Sequence, residues 1–396
     1  MKPLSSLRVV DLSRILAGPW SAQILADLGA DVIKVERAGA GDDTRSWGPP
    51  FIAGESGENL SATYFHACNR GKRSLAIDFD SEQDLALVHQ LIANADIVIE
   101  NFKVGGLKKY GLDSASLTAR YPRLIYCSIT GFGQNGPYAP RPGYDALIQA
   151  MGGSMHVTGA EGGEPMKAGV PYADILTGVY SAVGMLAAVA GRNETGKGSV
   201  IDMSLLDVQV GALANVALSY LASGVEAKRL GNAHPNLVPY QVFAAKDGHL
   251  FVAVGNDDQF ARLCKTLGVP DLATDPDYSS GPNRVKNRER LIALLTKRTG
   301  EYTKQALFEQ LEAADISAGP INSIAEVFQD PQVVHRGMSF NLPYPASATG
   351  SVPGLRTPII MNGAPCVAGR PAPMLGEHNQ EIARNLESLE TRSIPK

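Results

Sequence analysis

The sequence predicts an α/β protein built on a doubly wound, mostly parallel sheet, with a second and smaller α/β domain. Three observations carry this expectation. Short apolar runs alternate with helix-period segments over the first 130 or so residues. The alternation gives way near residue 224, where composition shifts. And 396 residues exceed the size at which one hydrophobic core usually stops growing. In such a sheet, ligands bind outside the carboxyl ends of the strands.

Taken in order, residues 7–12 read as a buried strand, and 19–28 as a helix with Pro19 early, where a missing N–H is tolerated. Residues 31–36 and 74–79 are the next strands. A helix over 81–95 follows: Ser81 with Asp84 is a capping signal, and Leu85, Val88, Leu91, Ile92 and Ala95 share one face. Residues 96–100 and 123–129 are two further apolar strands. Pro171 restricts Val170 to extended geometry, so the small-residue stretch 169–184 starts its helix after that point. Asp174 reads as the N-cap, Thr177 as its polar partner, and the continuation as a helix buried in the core. Thr195-Gly-Lys-Gly198 is a turn, 199–203 a strand and 205–223 one helix. Residues 224–240 are irregular. Then come a strand pair about Asp247-Gly248, helices near 257–268, 284–298 and 303–313, a proline-rich extended stretch from Gly319, and a short final helix. The expected division is a Rossmann-like large domain over 1–223, completed by 340–396, and a small domain with linkers over 224–339.

Composition bounds the function. With 44% hydrophobic and 19% charged residues the chain is an ordinary globular one, and its net charge of −4 gives no global field for nucleic acid. Cys68, Cys127, Cys264 and Cys366 lack CxxC or Cys/His spacing, which favours free buried thiols in a reducing compartment and a cytoplasmic location. Asp11, Arg14 and Asp27 interrupt any secretory-signal pattern. The apolar stretch 175–191 approaches the length of a bilayer span but starts at a carboxylate, so no membrane partner is expected. The seven histidines show no HExxH or similar spacing, and no metal is expected.

Asp174 admits two readings: a plain helix cap, or a carboxylate held ionised by the helix dipole and able to act as a nucleophile. The strand ends supply context. Arg37, Asn69-Arg-Gly-Lys-Arg-Ser74, Glu100-Asn-Phe-Lys103 with Lys108 and Lys109, and Thr130-Gly-Phe-Gly133 with Arg141 recur on one rim, which suits an anionic, phosphate-bearing ligand. The rivals fit less well. Glu36 ends the second strand as in a dinucleotide fold, yet the first turn, Ile15-Leu-Ala-Gly-Pro-Trp20, has one glycine where that fingerprint needs three. There is no P-loop and no GxSxG elbow.

Together these residues resemble the class III CoA-transferases, of the CaiB/BaiF type. The matching stretches are Leu16-Ala-Gly-Pro19, Leu28-Gly-Ala-Asp-Val-Ile-Lys-Val-Glu-Arg37, Asn69-Arg-Gly-Lys-Arg-Ser74, Glu100-Asn-Phe102, Thr130-Gly-Phe-Gly133, Asp174-Ile-Leu-Thr-Gly178, Thr195-Gly-Lys-Gly198 and Leu375-Gly-Glu-His378. The resemblance implies a catalytic aspartate at Asp174. It implies coenzyme A contacts at Ala17, Arg37, Ile77, Asn101, Phe102, Lys103, Lys109, Tyr144 and Asp145. Lys109 stands where some relatives have arginine, which puts a bidentate phosphate clasp there in question. The resemblance further implies an interlocked, ring-shaped homodimer, no permanently bound cofactor, and CoA and acyl-CoA as substrates. Leu230-Gly-Asn-Ala-His-Pro-Asn-Leu-Val-Pro-Tyr-Gln-Val-Phe243 and Ala318-Gly-Pro-Ile-Asn322 look like enzymes that take CoA from succinyl-CoA to a dicarboxylate such as glutarate, hydroxymethylglutarate, itaconate or malate. Arg141, Arg229 or another cation is left to hold the distal carboxylate. The alternatives are an α-methylacyl-CoA racemase, whose histidine would stand where Tyr144 does, and an NAD-dependent oxidoreductase.

Overall fold

A computed structural model describes residues 2–390. Six strands make one fully parallel sheet: β1 (Arg8–Asp11), β2 (Asp31–Arg37), β3 (Arg73–Ile77), β4 (Ile97–Glu100), β5 (Ile125–Thr130) and β6 (Val200–Ser204). Their spatial order is β3-β2-β1-β4-β5-β6. The winding therefore reverses between β1 and β4, and a crevice opens beyond the carboxyl ends of those two strands.

Alternation along each strand fills both faces. Val9, Val32, Ile97 and Ile125 pack on one side with Leu25 of helix α1 (Ala17–Asp27). Val10, Ile33, Leu75 and Val98 pack on the other with Val88 and Leu91 of α2 (Glu82–Ala93). The expected cap of α2 is present, with the Ser81 side chain accepting from the Asp84 N–H at 3.3 Å. Two further helices bear on the site: α3 (Asp145–Met151) and the 24-residue α4 (Tyr172–Thr195).

Two expectations are corrected, the first at helix α4 and the second at the helices after β6. Helix α4 does not lie wholly within the core: Ala173, Thr177, Gly178, Ser181, Ala182 and Met185 are buried, whereas Tyr180 and Val183 are more than half exposed. By length and composition alone it is apolar enough to cross a membrane, but one face is packed against α1. Here Gly178 is required, because a Cβ there would sit 2.7 Å from the Ala17 carbonyl oxygen. The helix expected over 205–223 is two, α5 (Leu205–Ala212) and α6 (Ala214–Ser223), bent by 75°. The break is at Ala214, a non-glycine residue whose φ of +46° interrupts the helical backbone.

By internal contacts the chain forms two units. The first comprises the residues up to Ser154, Lys167–Gly224 and the chain from Gln332; the second comprises Met155–Met166 and Val225–Pro331. The second unit holds an antiparallel sheet of β7 (Tyr240–Ala245), β8 (Gly248–Ala253) and β9 (Ser317–Pro320), with β8 central. Leu250, Phe260, Leu263, Leu291 and Leu307 form its core. The helix expected over 284–298 is interrupted at Asn287, which separates Gly281–Lys286 from Arg288–Thr299. All four cysteines are free and buried, as their spacing predicts.

Candidate active site

A cleft of about 370 Å³ lies at the switch point, within the first unit. The turn after β1, from Arg14 to Ala17, forms one wall, and the turn after β4, from Asn101 to Val104, forms another. The end of β5 and the loop through Arg141 and Tyr144 close a third side, and Asp174 stands among them. Gly131 and Gly143 bring that loop against β5: a Cβ on either would lie within 2.6 Å of the other's Cα. No larger residue fits this crossing.

The two principal walls are tied together. Asn101 Oδ1 accepts from the Arg14 N–H at 2.9 Å, and Asn101 Nδ2 donates to the Arg14 carbonyl at 2.7 Å. Asn101 thus brackets the main chain of residue 14 with both ends of its amide. Glu100 is buried behind the same turn, where its carboxylate accepts from the Phe102 N–H at 2.8 Å and from the Ser128 hydroxyl. Burial pushes Glu100 up to about 7, against those hydrogen bonds.

Asp174 is the third residue of α4 and does not cap it. The N-cap is Pro171, which follows from the chain direction set by Val170-Pro171. The capping is done from another helix: Asp145 Oδ1 accepts from the Ala173 N–H at 2.9 Å and from the Asp174 N–H at 3.3 Å. Thr177 does not answer Asp174 either; its hydroxyl donates to the Ala173 carbonyl at 2.7 Å. Asp145 is held in turn by Gln149, whose Nε2 donates to Oδ2 at 2.6 Å. The Asp174 carboxylate is therefore released from local duty. Among the described residues no hydrogen bond or ion pair ends on it.

Its charge state also departs from expectation. Burial first, and the nearby Asp145 carboxylate second, push Asp174 up to about 7. The helix dipole does not hold it fully ionised, because desolvation and a like charge outweigh an effect confined to the first turn. Tyr64 lies close enough to feel the same charge: burial and then Asp174 push its hydroxyl up to about 12, so it remains a donor. Trp47 lies on Tyr64 edge to face, with ring centroids 5.5 Å apart, and also lines the cleft.

Of the residues singled out in the sequence, Ala17, Asn101, Phe102, Lys103, Tyr144 and Asp174 line the cleft. Arg37 and Ile77 are partners in register at the ends of β2 and β3, farther along the same rim. The Lys109 ammonium lies 4.4 Å from the centre of the Tyr110 ring. Tyr110 contacts Phe79 at 5.5 Å and Phe79 contacts Phe102 at 6.1 Å, so an aromatic row runs from Lys109 to the cleft. Asp145 is turned to the start of α4. Glu36, the acid that mimics a dinucleotide fold, is fully engaged by Arg45, the Ser74 hydroxyl and the Asp42 N–H. Arg14, Trp47 and Tyr64 escape sequence reasoning, since each comes from a turn or short helix with no periodic signal.

Comparison with known proteins points to the same family as the sequence resemblance. The sequence model of CoA-transferase family III matches residues 4–379. A succinate–glutarate CoA-transferase of Agrobacterium fabrum is 51% identical over 99% of this chain and 98% of its own length. A succinyl-CoA:glutarate CoA-transferase of Mus musculus is 42% identical over 100% of this chain and 89% of its own. Among solved structures, a CaiB/BaiF family protein from Brucella suis is 53% identical with a TM-score of 0.88, covering 97% of this chain and 99% of that one.

Proposed function

This chain belongs to CoA-transferase family III, and from that premise we propose that it moves CoA from succinyl-CoA to glutarate or a similar small dicarboxylate, with Asp174 as nucleophile. One observation carries the reading: a carboxylate at the switch-point cleft that has shed both its capping role and every cationic partner among the described residues. A desolvated, unpaired carboxylate retains the basicity a nucleophile needs.

The steps balance without a metal or redox group. An Asp174 oxygen attacks the succinyl thioester carbonyl and expels CoA thiolate, leaving a mixed anhydride. The thiolate attacks the aspartyl carbonyl, forming an aspartyl-CoA thioester and releasing succinate. A glutarate carboxylate then attacks that thioester, and the expelled thiolate takes the glutaryl group from the new anhydride, restoring Asp174. CoA and acyl-CoA are substrates, and no permanently bound cofactor is needed.

Ala17, Phe102, Lys103 and Tyr144 are suited to the pantetheine and the near phosphates. The Phe102–Phe79–Tyr110 row with Lys109 and Arg37 offers stacking and charge to the nucleotide end. For the acceptor's distal carboxylate, Arg141 is the better placed of the two arginines considered. It lines the cleft, its guanidinium 3.9 Å from the centre of the Tyr138 ring, and it has no carboxylate partner among the described residues. Arg229 already donates to the Gly163 and His156 carbonyls. The enzyme works as a homodimer in the cytoplasm; the exposed Val183, Leu218 and Leu221 on α4 and α6 are apolar surface of the kind a partner subunit covers.

The reading is tested by incubating the enzyme with succinyl-CoA and then hydroxylamine, and mapping the modified peptide by mass spectrometry. Modification at Asp174 is expected. Full transfer activity in Asp174→Ala overturns the mechanism.

A further inference from the structure

Beneath the cleft lies a set of buried charges that the transfer chemistry does not use. Lys34 of β2 pairs with Asp42 at 2.9 Å, and Lys72 pairs with Asp11 at 2.8 Å; all four side chains are fully buried. Buried ion pairs are weak evidence for stability, since apolar residues of similar volume often do as well. What distinguishes these four is where their hydrogen bonds go. Lys34 Nζ donates to the Ser13 carbonyl at 2.7 Å, and Lys72 Nζ to the Pro19 carbonyl at 2.9 Å. Asp11 Oδ1 accepts from the Ser13 N–H at 3.0 Å and from the Ser13 hydroxyl. Both Asp42 oxygens accept from the Ile15 N–H, at 3.3 Å each.

These bonds bracket the turn that forms the first wall of the cleft: they hold Ser13 just before it, Ile15 within it, and Pro19 in the first turn of α1 just after it. At its centre Ile15 has a φ of +73°. A β-branched residue adopts that left-handed geometry only where its surroundings impose it. The hydrogen bond from its N–H to a buried carboxylate, itself fixed by a buried lysine, is such an imposition.

We infer that Lys34, Asp42, Lys72 and Asp11 are positioning residues, which force the left-handed turn at Ile15 and so present the Leu16–Ala17 main chain to an acyl-CoA. The inference rests on the reading above that CoA occupies this cleft. On this view the ion pairs are needed because isoleucine disfavours the backbone geometry of position 15. Glycine there accepts the same φ freely, and the demand on the network falls.

The experiment is a double-mutant cycle on the full-length enzyme, read as CoA Kd by titration calorimetry and as KM and kcat with succinyl-CoA. Lys34→Met/Asp42→Asn is expected to raise the Kd at least tenfold, with KM rising more than kcat falls. In an Ile15→Gly background the same pair of changes is expected to raise it less than threefold. An equal loss in both backgrounds, or no loss in either, overturns the inference, because a merely structural network would not be rescued at residue 15. Should the double variant fail to fold, Asp42→Asn takes its place, with an expected threefold loss in the parent and none in the glycine background. Ala17→Arg, which fills the cleft, separates the two readings. If it leaves CoA binding intact, the cleft assignment fails and this inference with it. If it abolishes binding while the cycle shows no coupling, the positioning inference alone fails.

Discussion

Asp42 and Asp174 are two carboxylates of one unit, both beside the same cleft, and they come to opposite electrostatic ends. Burial would raise both. At Asp42 it is outweighed by Lys34, by the Thr44 N–H and by hydrogen bonds from both, and the pKa ends below its ordinary value. At Asp174 nothing opposes burial, Asp145 adds to it, and the pKa climbs to about 7. The difference lies in partners and owes little to depth. A framework acid is given its cation; the reactive acid is denied one.

The largest way to break this contrast is to remove the reactive acid. Asp174→Asn should lower kcat by about 10⁴-fold or more, measured by the rate of acyl exchange, and should leave no hydroxylamine-sensitive adduct. The same change should stabilise the protein. Because the folded-state pKa lies above the unfolded one, the stability lost to this group grows as pH rises from about 4 and is fully present above about 7. Denaturant midpoints should therefore show a gain of roughly 1–3 kcal/mol at pH 8 and a smaller one at pH 5.

Removing a partner from the framework acid should do the reverse. Lys34→Met alone strands Asp42 and should cost about 3–5 kcal/mol in chemical denaturation. The sign with pH is also opposite. The depressed Asp42 contributes stability that is present above its unfolded value and is lost as pH falls through the folded one, so the penalty of Lys34→Met should shrink in acid.

A smaller effect is expected at the helix contact that holds Asp174 in place. Gly178→Ala puts a methyl 2.7 Å from the Ala17 carbonyl oxygen and 3.0 Å from Trp20. It should cost about 1–3 kcal/mol and lower kcat about tenfold, a shift of about 1 Å in the nucleophile being enough. The finest test is the pH profile. Activity needs ionised Asp174, so kcat/KM should fall as pH drops below about 7. Asp145→Asn keeps an oxygen for the α4 cap but removes the second charge, and the acid limb should move to lower pH.

Much of this is legible in the sequence, and the reasons differ by residue. Five of the six parallel strands appear as apolar runs because both faces of each are covered, whereas Val200 and Asp202 of β6 are exposed; Ser81 announces α2 because its cap is local. The bend at Ala214 is invisible, since an alanine carries no turn signal. Asp174 stands out in the sequence, but for a partly mistaken reason. Its place after Val170-Pro171 suggests a cap, whereas the capping carboxylate comes from Asp145, twenty-nine residues earlier in the chain. Its charge state depends on which groups surround it in space, and no spacing rule conveys that. Asn101 reads as a ligand contact; it lines the cleft, and its amide also joins two strand ends, a role no sequence pattern conveys.

That join has a use for protein engineering. Asn101 reads residue 14 through its main-chain N–H and carbonyl alone, so the bracket tolerates any side chain at residue 14 except proline, which lacks the N–H. Libraries varied at residue 14 can reshape this wall of the cleft while the scaffold that holds the two turns together stays fixed; variation at residue 101 would release it.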